Sequence, residues 1–318
     1  MKNTLKLIIS LFIFPTWVFL FSGGCKETDT KNKGSFQEYN FIVANDLGRN
    51  GYFDQKPIAD QMGLFTEKHD IEFVAAVGDT HHFEGVASVT DPLWLTNFEW
   101  IYSHPGLMLD WYAVLGNHEY RGNTEACLEY SSISRRWIMP ERYYQKVLQV
   151  DDSTTLQLVF IDTPPLIDKY RYDSVSYPDA VKQDMQAQLN FIDSVLTFTD
   201  ATWTVVLGHH PVYAYTTKSE SERTDLQERL DPIMKKHDVD FYFSGHIHNF
   251  QHIKKDDSSL NYIVNSSGSL SRPVEKTDGT QFCSDLSGFS ICSVSHSQFG
   301  VNFIDANGKV IYTFTKTK

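Results

Sequence analysis

"IEFVAAVGDTHHFEG", residues 71–85, is apolar at six of its first seven positions, turns at Gly78, and then sets Asp79, His81 and His82 within four residues. A short apolar run that stops at a glycine reads as a strand, and near-continuous hydrophobicity marks one buried on both faces. The same grammar recurs in "YNFIVAND" (39–46), "WYAVLGNH" (111–118), "LQLVFIDT" (156–163), "WTVVLGHH" (203–210), "VDFYFSGH" (239–246) and "LNYIVNSSG" (260–268). Between these runs, 56–70, 180–196 and 224–238 have helix-compatible spacing, with Pro232 breaking or kinking the last. Apolar strands alternating with helices predict an α/β domain. The runs 287–305 and 309–316 close the chain as antiparallel strands about the turn "DANGK".

Most of these predicted strands end in a side chain able to hold a metal, and open α/β sheets bind ligands beyond the carboxyl ends of their strands. The groups are Asp46, Asp79 with His82, Asn117 and His118, His209, and His246 with His248. One such residue is ordinarily a hydrogen-bonded loop residue; the repetition at successive strand ends is what points to a site. Mixed oxygen and imidazole donors suit Zn, Mn or Fe, whereas Ca or Mg favours oxygen alone. The donors suffice for two ions. A carboxylate such as Asp79 can bridge a pair roughly 3.5–4 Å apart that clamps a phosphoryl oxygen. Glycines before the ligands, at 78, 116, 208 and 245, let the backbone turn and approach without a Cβ.

The chain has 318 residues, 41% of them hydrophobic, enough for one large domain or two small ones, and no internal boundary shows after residue 38. A net charge of -12 with no basic stripe argues against nucleic acid as a partner. The aromatic residues lie in strand-like runs, as core and cleft wall, not as a stacking platform. Residues 1–25 carry Lys2 and Lys6, an apolar run from Leu7 to Phe21, and small residues up to Cys25, the layout of an export signal. Its end resembles a bacterial lipoprotein signal, which implies lipidation of Cys25 and a membrane lipoprotein in the periplasm or at the cell surface. Ser22 departs from the leucine usual there, so a plain signal or an uncleaved anchor stays open. Residues 26–38 read as a flexible tether. In an oxidising compartment Cys283 and Cys292 could pair across a short loop, leaving Cys127 free.

Five motifs in order, "NDLG" (45–48), "GDTHH" (78–82), "GNHE" (116–119), "GHHP" (208–211) and "GHIHNFQ" (245–251), resemble the calcineurin-like metallophosphoesterases, within them the tartrate-resistant and purple acid phosphatases. "RRWIMPERYY" (135–144) and "FIDT" (160–163) resemble that group's intervening segments. The resemblance implies two mixed β-sheets packed as a sandwich and flanked by helices, over residues 39–318. It implies a first metal on Asp46, Asp79 and His248, and a second on Asp79, Asn117, His209 and His246. His118 would stand beside the leaving group, steadying the transition state or protonating the departing alkoxide. The implied reaction is hydrolysis of phosphate monoesters by a metal-bound hydroxide, outside the cytoplasm, on phosphorylated small molecules or phosphoproteins. A diesterase or pyrophosphatase with the same metals, or a non-catalytic surface phosphate-binding protein, is the alternative.

In that group the residue three beyond the bridging Asp is a tyrosine whose phenolate binds Fe(III) and gives the colour; here it is His82. Gly48 stands where other members of the superfamily place a first-metal histidine. His82 is the natural replacement ligand, with His81 or water as the other ways to complete the shell. Loss of an anionic hard ligand favours a divalent pair (Mn, Zn or Fe) and a protein that is not purple. His210, Glu119 and Tyr120 are candidates to face the substrate. "SESER" (219–223) and "KKDDSS" (254–259) read as solvated loops.

Overall fold

The computed structural model describes residues 39–318, and the expected export signal, Cys25 and tether lie outside the described residues. The strands are β1 Tyr39–Ala44, β2 Ile71–Val77, β3 Asp110–Val114, β4 Trp137–Ile138, β5 Tyr144–Asp151, β6 Thr154–Ile161, β7 Trp203–Gly208, β8 Phe241–Ser244, β9 Phe250–Lys254, β10 Asn261–Asn265, β11 Thr280–Ser284, β12 Gly288–Val294, β13 Gln298–Asp305 and β14 Val310–Thr317. The α-helices are α1 Gln55–Thr66, α2 Thr124–Glu129, α3 Asp168–Arg171, α4 Met185–Thr197, α5 Glu220–Arg229 and α6 Asp231–Lys236.

Two mixed sheets of seven strands result, ordered β14-β13-β12-β1-β2-β3-β4 and β11-β9-β10-β8-β7-β6-β5. In the first, β1 to β4 run parallel while β12, β13 and β14 add antiparallel strands. In the second, β6, β7, β8 and β10 are the parallel centre. Strand alternation explains the unbroken hydrophobic runs. Phe41, Val43, Phe73, Ala75 and Val77 join Leu158, Phe160, Val205, Leu207 and Phe243 in one apolar layer. The intervening Ile42, Ala44, Val74 and Ala76 pack in another with α1 residues Ile58, Ala59 and Met62. The Phe41 and Phe73 rings, paired across β1 and β2, stack at 4.7 Å.

The third expected helix is two, α5 ending at Arg229 and α6 holding Pro232 in its first turn, where a missing N–H costs nothing. The run 287–305 is a hairpin, β12 and β13, closed by Ser295 N donating to Gln298 O at 2.9 Å. Cys283 and Cys292 do not pair, because β11 and β12 belong to different sheets, and Cys127 is also a free thiol. Among the described residues no helix is long and apolar enough to cross a membrane.

Candidate metal centre

Asp46 follows β1 by two residues and Asp79 follows β2 by two; Asn117 and His118 follow β3, His209 follows β7, and His246 and His248 follow β8. The chain bends sharply at these points: Asp46, Asp79, His246 and His248 all have left-handed backbones, with φ from 51° to 67°. Such strain gathered at one place marks a functional site. Gly78, at φ 81°, makes the turn before Asp79. At Gly116 a Cβ would lie 2.2 Å from Asp79 Oδ1, so only glycine lets β3's end approach that carboxylate.

Asp79 Oδ2 lies at the middle, 3.0 Å from His209 Nε2, 3.6 Å from His82 Nε2 and 3.9 Å from His118 Nε2. Asp46 Oδ1 is 2.9 Å from His248 Nε2. Donor atoms of Asp46, His82 and His248 fall within 4.8 Å of one another, as do those of Asp46, Asp79 and His209. Yet Asp46 Oδ1, His82 Nε2, His209 Nε2 and Asn117 Oδ1 are buried with no hydrogen bond. Short approaches without hydrogen-bond angles are what lone pairs do when they aim at a shared point.

The remaining ring nitrogens fix the tautomers. His82 Nδ1 lies 3.1 Å from Gly48 O and His209 Nδ1 2.9 Å from Val77 O, each placed to donate to a carbonyl and leave Nε2 as a ligand. His246 Nε2 faces Glu222 Oε2 at 3.1 Å, and Lys218 Nζ lies 3.3 Å from its Nδ1. Asp46 Oδ2 is spent on Asn45 Nδ2 and His246 N, both at 2.7 Å, so Oδ1 is the free oxygen. Burial pushes the Asp79 carboxyl upward, but the charges of His209 and His118 overcome it and hold the group well below the ordinary range. The donor set could hold two cations, one by Asp46, Asp79, His82 and His248 and one by Asp79, Asn117 and His209, while the donor atoms of His246 group with those of His209 and His210. His81 lies apart, its ring edge-on to Trp94 at 4.4 Å, in none of these clusters.

Residues 39–250 match the model of the calcineurin-like phosphoesterases. The chain belongs to that family. It is 32% identical over 335 residues to purple acid phosphatase 17 of Arabidopsis thaliana, covering 100% of this chain and 96% of that one. Human tartrate-resistant acid phosphatase type 5 is 26% identical over 76% of this chain and 78% of its own. Among solved structures, GAP50, described as the anchor in the inner membrane complex of Plasmodium, shares the fold with a TM-score of 0.76 at 24% identity, over 88% of this chain and 89% of that one. This phosphoesterase is thus a metal-dependent phosphoric ester hydrolase related to the purple acid phosphatases.

The three residues expected to face the substrate have other work in this phosphoesterase. Glu119 accepts from the backbone N–H groups of Asp79, His81 and Gly116 at 2.7–2.9 Å, tying two motif loops together. Tyr120 is fully buried, donating to Asp162 and accepting from Arg142 Nη1 at 3.2 Å. His210 is fully buried with Nδ1 at 2.8 Å from Thr163 Oγ1 and Nε2 at 3.0 Å from Tyr170 OH. His118 does open to the cleft. Its Nδ1 lies 2.6 Å from Phe83 O, turning Nε2 towards Asp79, and burial lowers its pKa despite that carboxylate.

"SESER" is not a solvated loop. It begins α5, and Glu222 is 3% exposed, joined to His246, to Lys169 Nζ at 2.6 Å and to Tyr170 OH at 2.8 Å. Sequence reasoning passed over it for want of an adjoining motif; the helical spacing that buries Glu222, Asp225 and Leu226 together was the available signal. Lys218 Nζ, also missed, approaches His246 Nε2 to 3.1 Å and His246 O to 2.8 Å.

Proposed function

We propose that this protein is an exported phosphatase that hydrolyses phosphate monoesters with two divalent ions, Mn, Zn or Fe. The observation that supports it most is the single oxygen, Asp79 Oδ2, set among imidazoles whose tautomers leave their lone pairs turned towards it. When bound, such ions polarise the phosphoryl oxygen and acidify a water molecule.

The chain's own residues supply the rest. Asp79 spans both ligand sets, with Oδ1 held by the His118 N–H at 2.9 Å. Asn117 offers its carbonyl oxygen without adding charge. His118, anchored through Nδ1 to the Phe83 carbonyl, presents Nε2 to the cleft, from which its protonated, imidazolium form can pass a proton to the departing alkoxide. Glu119 and Glu222 hold the ligand-bearing loops.

Export rests on the basic start and apolar run of residues 1–25. Lipid attachment at Cys25 gains no support from the plant and mammalian relatives.

The test is p-nitrophenyl phosphate hydrolysis by the purified protein after chelation and restoration of Mn, Zn or Fe. Activity should return with at least one ion. Asn117→Ala and His118→Ala should each lower kcat by about 100-fold or more, in the range for a general acid or a metal ligand. Turnover that survives both substitutions would sink the assignment.

A further inference from the structure

The cleft over the ligand cluster, about 380 Å³, is walled in part by Arg49, Arg121, Lys169, Lys218 and Arg272. Arg121 faces Glu84 at 3.8 Å and Lys169 pairs with Glu222 at 2.6 Å. Unlike those two, Arg49, Lys218 and Arg272 have no carboxylate at ion-pair distance among the described residues. In a chain with 40 acidic and 28 basic residues, three cations without an ion-pair partner around one cleft are not a by-product of composition; of the three, Lys218 Nζ donates to His246 O at 2.8 Å.

They are also held there. Arg49 is 7% exposed, its Nε lacks a partner, and its guanidinium lies 4.7 Å from the centroid of the Phe83 ring. Gln251 grips the backbone of the Lys218 loop, accepting from Tyr215 N at 2.7 Å and donating to Tyr215 O at 2.9 Å. Arg272 N donates to His248 O at 2.7 Å, and Asn249 Nδ2 donates to Pro273 O at 3.2 Å. Three cations lining one cleft, none with a carboxylate at ion-pair distance, form an anion site.

One phosphate does not use it up. Asp46 and Asp79 offset half the charge of two divalent ions, and the dianion of a phosphate monoester offsets the rest. We propose that Arg49, Lys218 and Arg272 form a subsite for a second phosphate group, so that the preferred substrate carries two phosphates, joined as an anhydride or attached as separate esters. The proposal rests on the phosphatase reading for the placement of the first phosphate.

The experiment compares methylenediphosphonate with methylphosphonate by calorimetry on the metal-loaded full-length protein. It adds kcat/KM for pyrophosphate, a sugar bisphosphate and p-nitrophenyl phosphate. Arg272→Ala, at an exposed side chain, and Arg49→Gln are the variants, with Arg272→Lys as the conservative control. The bisphosphonate should bind at least tenfold tighter than the monophosphonate. Each lost charge should cut that advantage, and the kcat/KM ratio of the two-phosphate substrate to p-nitrophenyl phosphate, by about tenfold, with Arg272→Lys largely restoring both. The two-phosphate substrate whose ratio falls identifies anhydride or ester. Equal affinities in the wild type, or ratios unmoved in both variants, would overturn the subsite. Hydrolysis of p-nitrophenyl phosphate without the preference defeats the subsite alone; the preference without any turnover defeats the monoesterase reading and leaves the subsite standing.

Discussion

At the scale of the residue, position 82 separates this protein from its purple relatives. The histidine there is buried, pinned through Nδ1 to the Gly48 carbonyl, and aimed through Nε2 at the pair Asp46 and Asp79. A neutral imidazole supplies no phenolate-to-iron charge transfer, so the iron-loaded wild type should be colourless above the ultraviolet. His82→Tyr should gain a broad visible band under aerobic iron loading, and His82→Ala should weaken binding of one metal equivalent by about 10–100-fold. A strong visible band in the wild type would end the argument. From the sequence, His82 is the natural replacement ligand, with His81 and water as alternatives. Carbonyl Gly48, 34 residues away, selects His82, and Trp94 takes His81, neither of which spacing reveals.

Elements extend the same logic to the end of β6. Asp162 stands at a strand end like the ligands do, but it holds the third motif: its carboxylate accepts from Tyr120, Tyr120 accepts from Arg142, and its backbone N–H donates to Gln188 Oε1 at 2.8 Å. Burial pushes its pKa up to about 7, against Tyr120 and Arg142, and Oδ1 has no partner. A carboxyl whose folded pKa lies above its unfolded value of 3.8 takes up a proton on folding between those values. Its contribution to stability is therefore full below about pH 4 and lost as pH rises to 7. Denaturation midpoints of wild type and Asp162→Asn should converge or cross across that interval, the variant lacking the decline. Parallel curves would show that Asp162 stays ionised. The parallel strands and their ligand ends were legible in the sequence because burial on both faces leaves unbroken apolar runs. The short β4, and β5 with its alternate residues exposed, lack that mark. Glu119 and Tyr120 read as substrate contacts because adjacency to His118 says nothing of which way a side chain turns.

For the whole molecule, the candidate ligands come from both sheets: Asp46, Asp79 and Asn117 follow strands of the first, His209, His246 and His248 strands of the second. Ions bound there would cross-link the sheets at one end of their shared core, while the apolar layer from Phe41 to Phe303 holds them face to face. Binding to the folded state alone adds about 4 kcal/mol when free metal exceeds Kd by roughly 1,000-fold. For a domain of this size that is a rise in Tm on the order of 10 °C. Chelation should lower Tm by that amount while far-ultraviolet circular dichroism at 25 °C stays unchanged, since the two sheets keep their core. Asn117→Ala should show a smaller drop on chelation than the wild type, having one ligand fewer to lose. If chelation instead abolished the circular dichroism of the strands, the metals would be needed to fold the sandwich and not only to join its sheets at the site. An unchanged Tm, with release of metal confirmed by elemental analysis, would mean that the ligand loops are held by Glu119, Glu222 and Asn45 alone.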